Sequence, residues 1–152
     1  MIPVFMAGNQ EEVWGPSVTS LIRSILLQES VFHTLALAPN NNIDKNDLLQ
    51  MARDQGFDYL LEIILPGILE PAGDSPGWVG INLYLKSTKA GFSVWQIYGE
   101  TQLIPRITQH RFLGKDDFVP APSVGQGIVA ITRTMAKILR GPSGQNISFN
   151  RR

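Results

Sequence analysis

The chain of 152 residues has no cysteine, only two histidines, and no excess of either charge, since 13 Lys and Arg balance 13 Asp and Glu. Without thiols there can be no disulfide framework and no thiolate metal site. Without a basic field the chain lacks the electrostatic footprint that holds phosphate backbones, which excludes nucleic acid as a partner. No uninterrupted apolar run approaches the roughly 20 residues of a membrane-spanning helix. Charged residues are also scarce, at 17% of the chain, below the roughly 25% usual in globular proteins. Apolar residues make up 43%, which argues against disorder. A chain of this length should bury about 70% of its unfolded surface and hold a core without staples.

Hydrophobic periodicity divides the chain into an alternating first half and a strand-rich second half. Ile2 to Ala7 reads as a short buried strand, followed by a loop over Gly8 to Glu12. Pro16 suits a first helical turn, and Val18, Leu21, Ile22, Ile25 and Leu26 follow at helical spacing with one buried stripe. Val31 to Ala38 reads as a second strand, stopped by Pro39 and the asparagines at 40 to 42. Asp44 can cap a second helix with Leu48, Leu49 and Ala52 inward, and Gly56 is placed to end it in a left-handed turn.

From Tyr59 the period becomes strand-like. Tyr59 to Leu65 is almost wholly apolar, as for a central strand covered on both faces, with Pro66 and Gly67 closing it. Glu70 to Gly77, rich in proline and glycine, reads as a flexible connection. Trp78 to Lys86 alternates, with Val79, Ile81, Leu83 and Leu85 on one face and Trp78, Asn82, Tyr84 and Lys86 mainly on the other. Ser87 to Gly91 reads as a hairpin turn, returning through Phe92, Val94, Trp95, Ile97 and Tyr98. Gln102 to Val119 has no clear period. Pro122 opens a last helix with Val124, Ile128, Ile131, Met135, Ile138 and Leu139 inward and Gly141 at its end. The expected fold is mixed α/β: a single five-stranded sheet in the order 2-1-3-4-5, an antiparallel meander over strands 3 to 5, and three helices. Residues 1–141 form one domain and 142–152 a flexible tail.

Catalytic signatures are sparse. His33 and His110 lack the neighbouring ligands that a zinc site needs, so neither a metal nor a cofactor is expected. No G-x-S-x-G elbow occurs, and Gly125-x-Gly127 lacks the preceding strand and third glycine of a dinucleotide fingerprint. Asp116, Asp117 and Asp74 do not have calcium-loop spacing. Glu62 interrupts an apolar strand: buried without a partner it would be a carboxyl of raised pKa able to act as acid or base, and otherwise it needs a bonded neighbour. The chain is expected to be no enzyme. Trp78, Tyr84, Trp95 and Tyr98 cluster in the expected meander, where amphipathic rings on a less buried face suit protein interfaces or sugar stacking, although core packing is the commoner fate of aromatics. The outer strand of the meander is also an edge open to pairing.

Gly56-Phe57-Asp58-Tyr59-Leu60, then Gly80-Ile81-Asn82-Leu83-Tyr84-Leu85, then Lys89-Ala90-Gly91-Phe92-Ser93-Val94-Trp95 resembles the pattern of bacterial envelope lipoprotein domains. That group includes the periplasmic domain of CsgG, PelC, and the amino-terminal domain of TolB. There a helix ends in Gly-Ala-Asp-Tyr and a strand leads to an Asp-x-x-Thr-Gly-x-x-x-Trp hairpin. Here Ser87 stands at the aspartate position and Ala90 at the threonine, so the turn chemistry differs. The resemblance implies a periplasmic module that assembles with itself or with envelope proteins in export or surface-polymer secretion. It also implies a lipid anchor on a leader cysteine preceding Met1 in a longer precursor, since Met1 to Met6 has no signal-peptide character. The stretch Pro66 to Gly77 is too short, and Arg106 to Asp117 too charged, to supply the strands of a membrane pore. A small-ligand or glycan-binding domain is the alternative.

Overall fold

The structure is a computed structural model and describes residues 4–8, 15–39, 44–110 and 115–140. Strand β1 (Val4–Gly8) leads to helix α1 (Gly15–Gln28), strand β2 (Leu35–Leu37) and helix α2 (Lys45–Asp54). Three long strands follow, β3 (Tyr59–Leu69), β4 (Gly77–Ser87) and β5 (Ser93–Leu103), then the short strands β6 (Arg106–His110) and β7 (Lys115–Val119) and helix α3 (Val124–Arg140). The architecture is mixed α/β with three helices and an antiparallel meander. The main sheet runs β2-β1-β3-β4-β5, with β1 parallel to both its neighbours, and β6 and β7 pair as a separate two-stranded sheet.

Two layers pack on the sheet. On one face Leu61, Ile63 and Leu65 of β3 and Val79, Ile81, Leu83 and Leu85 of β4 meet Val18, Ile22 and Leu26 of α1 and Ile128, Ile131 and Met135 of α3. Each such side chain, fully buried, contributes roughly 1.5–3 kcal/mol. Glu29 beyond α1 ties the helices together by accepting from Arg140 at 3.3 Å and lying 3.9 Å from Arg133. On the other face α2 places Ala52 against Leu60, with Leu48, Leu49, Ala36 and Phe57 around them. The burial of β4 alternates strictly along its second half, and the residues from Trp95 to Gln102 on β5 alternate between half-buried and exposed. The far side of these two strands is therefore an open face.

Helix α2 ends as its sequence requires: Gly56 sits at φ 79°, Phe57 N donates to Ala52 O and Gly56 N to Arg53 O. This pair of bonds is a Schellman motif, with Phe57 folding back on Ala52. Helix α1 ends in the same way, but with Ser30 in the left-handed conformation at φ 53° and Val31 N bonded to Leu26 O. That cap corrects the expected strand over Val31 to Ala38: Val31 and Phe32 are spent closing the helix and packing on the core, and pairing begins only at Leu35. His33 lies exposed ahead of the strand.

Three further expectations change. Strand β3 does not stop at Pro66 but continues to Leu69 through a bulge between Ile64, opposite Asn82, and Gly67, opposite Gly80. A bulge leaves one residue outside the ladder, so the missing N–H of Pro66 costs no bond. The stretch Glu70 to Gly77 is a tight hairpin rather than a loose connection: Ala72 and Ser75 exchange both backbone bonds around Gly73 (φ 56°) and Asp74. Glycine at the first central position of a two-residue turn accepts the positive φ without strain. The stretch without a clear period holds the end of β5 and the β6–β7 hairpin. In its backbone register His110 stands opposite Lys115, with Asp116 opposite Gln109 and Asp117 opposite Thr108. The start of α3 is set by Ser123 rather than Pro122: Gln126 N donates to Ser123 Oγ at 3.3 Å and Ser123 N to Gln126 Oε1 at 2.9 Å, a capping box. The expected helix end at Gly141 and the tail at 142–152 lie outside the described residues.

Candidate functional surface

The open face is built by the alternation of β4 and β5 and by two bulges. Counting back from the β4–β5 turn, Lys86 pairs with Ser93 but Leu85 pairs with Trp95, so Val94 is the extra residue. The bulge flips every later side chain. Trp95 consequently points to the helix side, opposite buried Leu85, and packs against the core with Nε1 buried and unbonded among the described residues. Tyr98 is carried to the open face opposite Asn82, half exposed at 50%. Of the four aromatics singled out in the sequence, Trp78, Tyr84 and Tyr98 share the open face and Trp95 does not.

Trp78 lies against glycine. Gly67 and Gly80 are cross-strand partners, and a Cβ at Gly67 would sit 2.9 Å from Trp78 Cη2, one at Gly80 2.9 Å from Trp78 Cζ3 and from Pro66 Cγ. The same Cβ would come within 3.4 Å of the Tyr98 hydroxyl. Pro66, the indole and the phenol thus close over Gly80 and leave no room for a larger residue. Beside them runs an uncharged polar row: Asn82 Nδ2 donates to Tyr84 Oη at 2.8 Å, and Gln96 Nε2 donates to Asn82 Oδ1 at 3.0 Å and to Tyr84 Oη at 3.1 Å. Tyr98 Oη donates to Glu100 Oε2 at 2.6 Å. That hydrogen bond, to a carboxylate that would repel a phenolate, holds the Tyr98 hydroxyl above its ordinary pKa of 10.0.

Glu62 is not an isolated acid. Its Oε2 meets Lys86 Nζ at 2.6 Å across β3 and β4, with the two side chains 13% and 24% exposed. Strand pairing sets Glu62 beside Tyr84 and Lys86 beside Leu60, so the ion pair is diagonal and belongs to the same open face. The carboxylate is thus met by a cation within the sheet, and the pair bonds β3 to β4.

The turn at the end of the face is held from below. Thr88, 1% exposed, donates from Oγ1 to Phe57 O at 2.7 Å and from its backbone N to Asp58 O at 3.1 Å, while Arg53 Nε donates to Thr88 O at 3.0 Å. Ser87 Oγ accepts from Ala90 N at 3.2 Å, bonding the turn at its first residue. Lys89 reaches Asp58 at 3.0 Å. The end of α2, the start of β3 and the β4–β5 turn are one bonded unit. Asn82, Lys86, Gln96 and Glu100 complete the surface; the period of two on β4 marks the first pair, and the same period on β5 would have marked the second once the bulge was known.

No protein-family model and no curated protein matches the chain. Solved structures do. The chain is similar to PelC from Paraburkholderia phytofirmans, described as a dodecamer, at 18% identity and TM-score 0.60, over 87% of this chain and 82% of that one. It is similar to the lipoprotein GNA1162 from Neisseria meningitidis at 12% identity and TM-score 0.52, over 92% of this chain and 99% of that one. It is also similar to the protein CT253 from Chlamydia trachomatis at 10% identity and TM-score 0.51, over 93% and 97% of the two chains. At these identities the likeness is one of fold: the mixed α/β domain of this chain is shared with PelC and with the lipoprotein GNA1162.

Proposed function

We propose that this chain is a non-enzymatic, envelope-associated module that assembles with itself or with partner envelope proteins in export or surface-polymer secretion. The observation that carries this reading is the fold shared with the PelC dodecamer and the lipoprotein GNA1162. The open face adds support, because it presents Trp78, Tyr84 and Tyr98 among neutral amides and pairs the half-buried Glu62 with Lys86. Aromatic rings with satisfied polar rims suit contact rather than turnover. The reading also draws on the sequence resemblance of residues 56–60, 80–85 and 89–95 to the group that includes the domains of CsgG and TolB. On this reading the protein works in the periplasm, tethered to the outer membrane by a lipid anchor carried on a precursor. Two measurements test the proposal: mass in solution by light scattering, and distribution of the natural protein between soluble and envelope fractions of its cell. An oligomer, or recovery with the envelope, is expected; a strict monomer found only in the soluble fraction would refute it.

A second reading is a glycan-binding surface. Trp78 and Tyr98 offer flat faces for a sugar ring, and Asn82, Gln96 and Glu100 offer hydroxyl partners beside them. A neutral or basic oligosaccharide that binds only the folded chain must raise its melting temperature, and the rise must vanish in Trp78→Ala.

A further inference from the structure

Strand β5 is the last of the five-stranded sheet, and among the described residues nothing pairs with its outer edge. From Trp95 to Leu103 it runs in unbroken register with β4, beyond the bulge at Val94. Natural edges are blunted by lysine, proline, bulges or short length. This one has none of these over nine consecutive residues, and its single charge is Glu100. Beside the edge, α3 presents Ala130, Thr134 and Ile138, four residues apart and so stacked on one face, all exposed, with Ile138 at 62%. Strand and stripe frame a hollow of about 180 Å³ between Tyr98–Thr101 and the helix. Arg133, on the same helix, is directed to Glu29. The result is a strip whose strand carries one charge, Glu100, with one long row of backbone groups along it that no described residue pairs.

We infer that a second copy of this chain pairs with this edge, β5 against β5 in antiparallel register about a two-fold axis at Gly99. The inference rests on the proposed self-assembly and says where that contact lies. The sequence of the edge is self-complementary about Gly99. Pairing there sets Tyr98 of one copy opposite Glu100 of the other and Gln96 opposite Gln102. Tyr98 and Glu100 already bond within one chain at 2.6 Å, so the same donor and acceptor meet across the axis. An axis at Glu100 would instead place two carboxylates face to face, which is destabilising for directly opposed strand residues. Gly99 puts no side chain at the axis; a Cβ there would come 2.7 Å from Ile131 Cγ2 and 2.9 Å from Met135 Cε. On the helix side the axis brings the two Ala130–Thr134–Ile138 stripes together. The product is one continuous sheet through two copies with a closed, isologous contact.

The chain has no cysteine, so introduced thiols are unique. Residues 96 and 102 of one strand lie about 20 Å apart and cannot bridge within a chain. Directly opposed strand residues stand roughly 4.5–5.5 Å apart at Cα, within disulfide range. Mild oxidation of Gln96→Cys/Gln102→Cys is expected to give a covalent dimer, and Gln96→Cys alone is expected to give none. Thr134→Glu, at an exposed helix position, is expected to raise the dissociation constant measured by sedimentation at least tenfold, with the circular dichroism and melting temperature unchanged. A natural chain that stays monomeric at high concentration would overturn both this contact and self-assembly, leaving partner binding as the function. An oligomer that Thr134→Glu does not weaken and that the double cysteine variant does not trap would overturn the β5 contact while leaving self-assembly standing.

Discussion

Glu62 and Lys86 are bonded diagonally across β3 and β4, 2.6 Å apart on the open face they share with Trp78, Tyr84 and Tyr98. The pair explains how an acid can interrupt an apolar strand at little cost, and removing one partner should reveal that cost. Lys86→Met leaves a half-buried carboxylate without its cation and is expected to destabilise the chain by about 1–3 kcal/mol in urea unfolding. Glu62→Gln combined with Lys86→Met should recover most of the loss, because no charge is then stranded. Equal destabilisation of the single and double variants would show that the bond is not the relevant interaction.

Two glycines in α3 should respond to alanine with opposite signs. At Gly125 an added Cβ meets only Ser123 Oγ at 3.9 Å, so the usual helix preference applies and Gly125→Ala should stabilise by about 0.5–1 kcal/mol. At Gly127 the same Cβ would lie 2.9 Å from Leu103 Cδ2 and from Val79 Cγ1, side chains held in the core. Gly127→Ala should therefore destabilise by about 1–3 kcal/mol through overpacking. Melting curves of the two variants give the comparison directly.

The two helix ends make a second matched pair. Ser30 bears a side chain at φ 53° where Gly56 bears none at φ 79°. A left-handed residue with a Cβ costs roughly 1–2 kcal/mol, partly offset by the greater entropy of an unfolded glycine. Ser30→Gly should raise stability by about 0.5–1 kcal/mol and Gly56→Ala should lower it by about 1 kcal/mol. Chemical denaturation at constant slope would measure both.

Much of this was legible in the residues, and the exceptions share a cause. The strict alternation from Trp78 to Lys86 named both faces of β4, and Gly56 named the end of α2, because in each case a local rule and the tertiary fold agree. Val31 and Phe32 carry strand propensity, but the closing turn of α1 claimed them first. Pro66 looked like a stop because the bulge that tolerates it depends on the partner strand. Trp95 stands among the aromatics of the meander, and one extra residue at Val94 sends it to the helix side. Sequence periodicity cannot register an insertion that exists only relative to a neighbour. The Arg53–Thr88 and Thr88–Phe57 bonds span 35 and 31 residues and leave no local trace.

Tyr98 gives a pH test. Its phenol is raised above the ordinary 10.0, first by the hydrogen bond to Glu100. A raised pKa means that the fold favours the protonated form, so the contribution is complete below the ordinary value and is lost as pH rises through the folded one. In ultraviolet titration Tyr98 should ionise later than a free phenol, and Glu100→Gln should return it toward the ordinary value. The stability difference between the natural chain and Tyr98→Phe should likewise disappear at strongly alkaline pH. A titration unchanged by Glu100→Gln would contradict the bond.

Hydrogen exchange of the β5 amides as a function of protein concentration tests the self-pairing edge most directly. The outward amides from Gln96 to Gln102 should exchange quickly in dilute solution and slow progressively as concentration rises, while β3 and β4 stay protected throughout. Exchange along β5 that is the same at every concentration would contradict it.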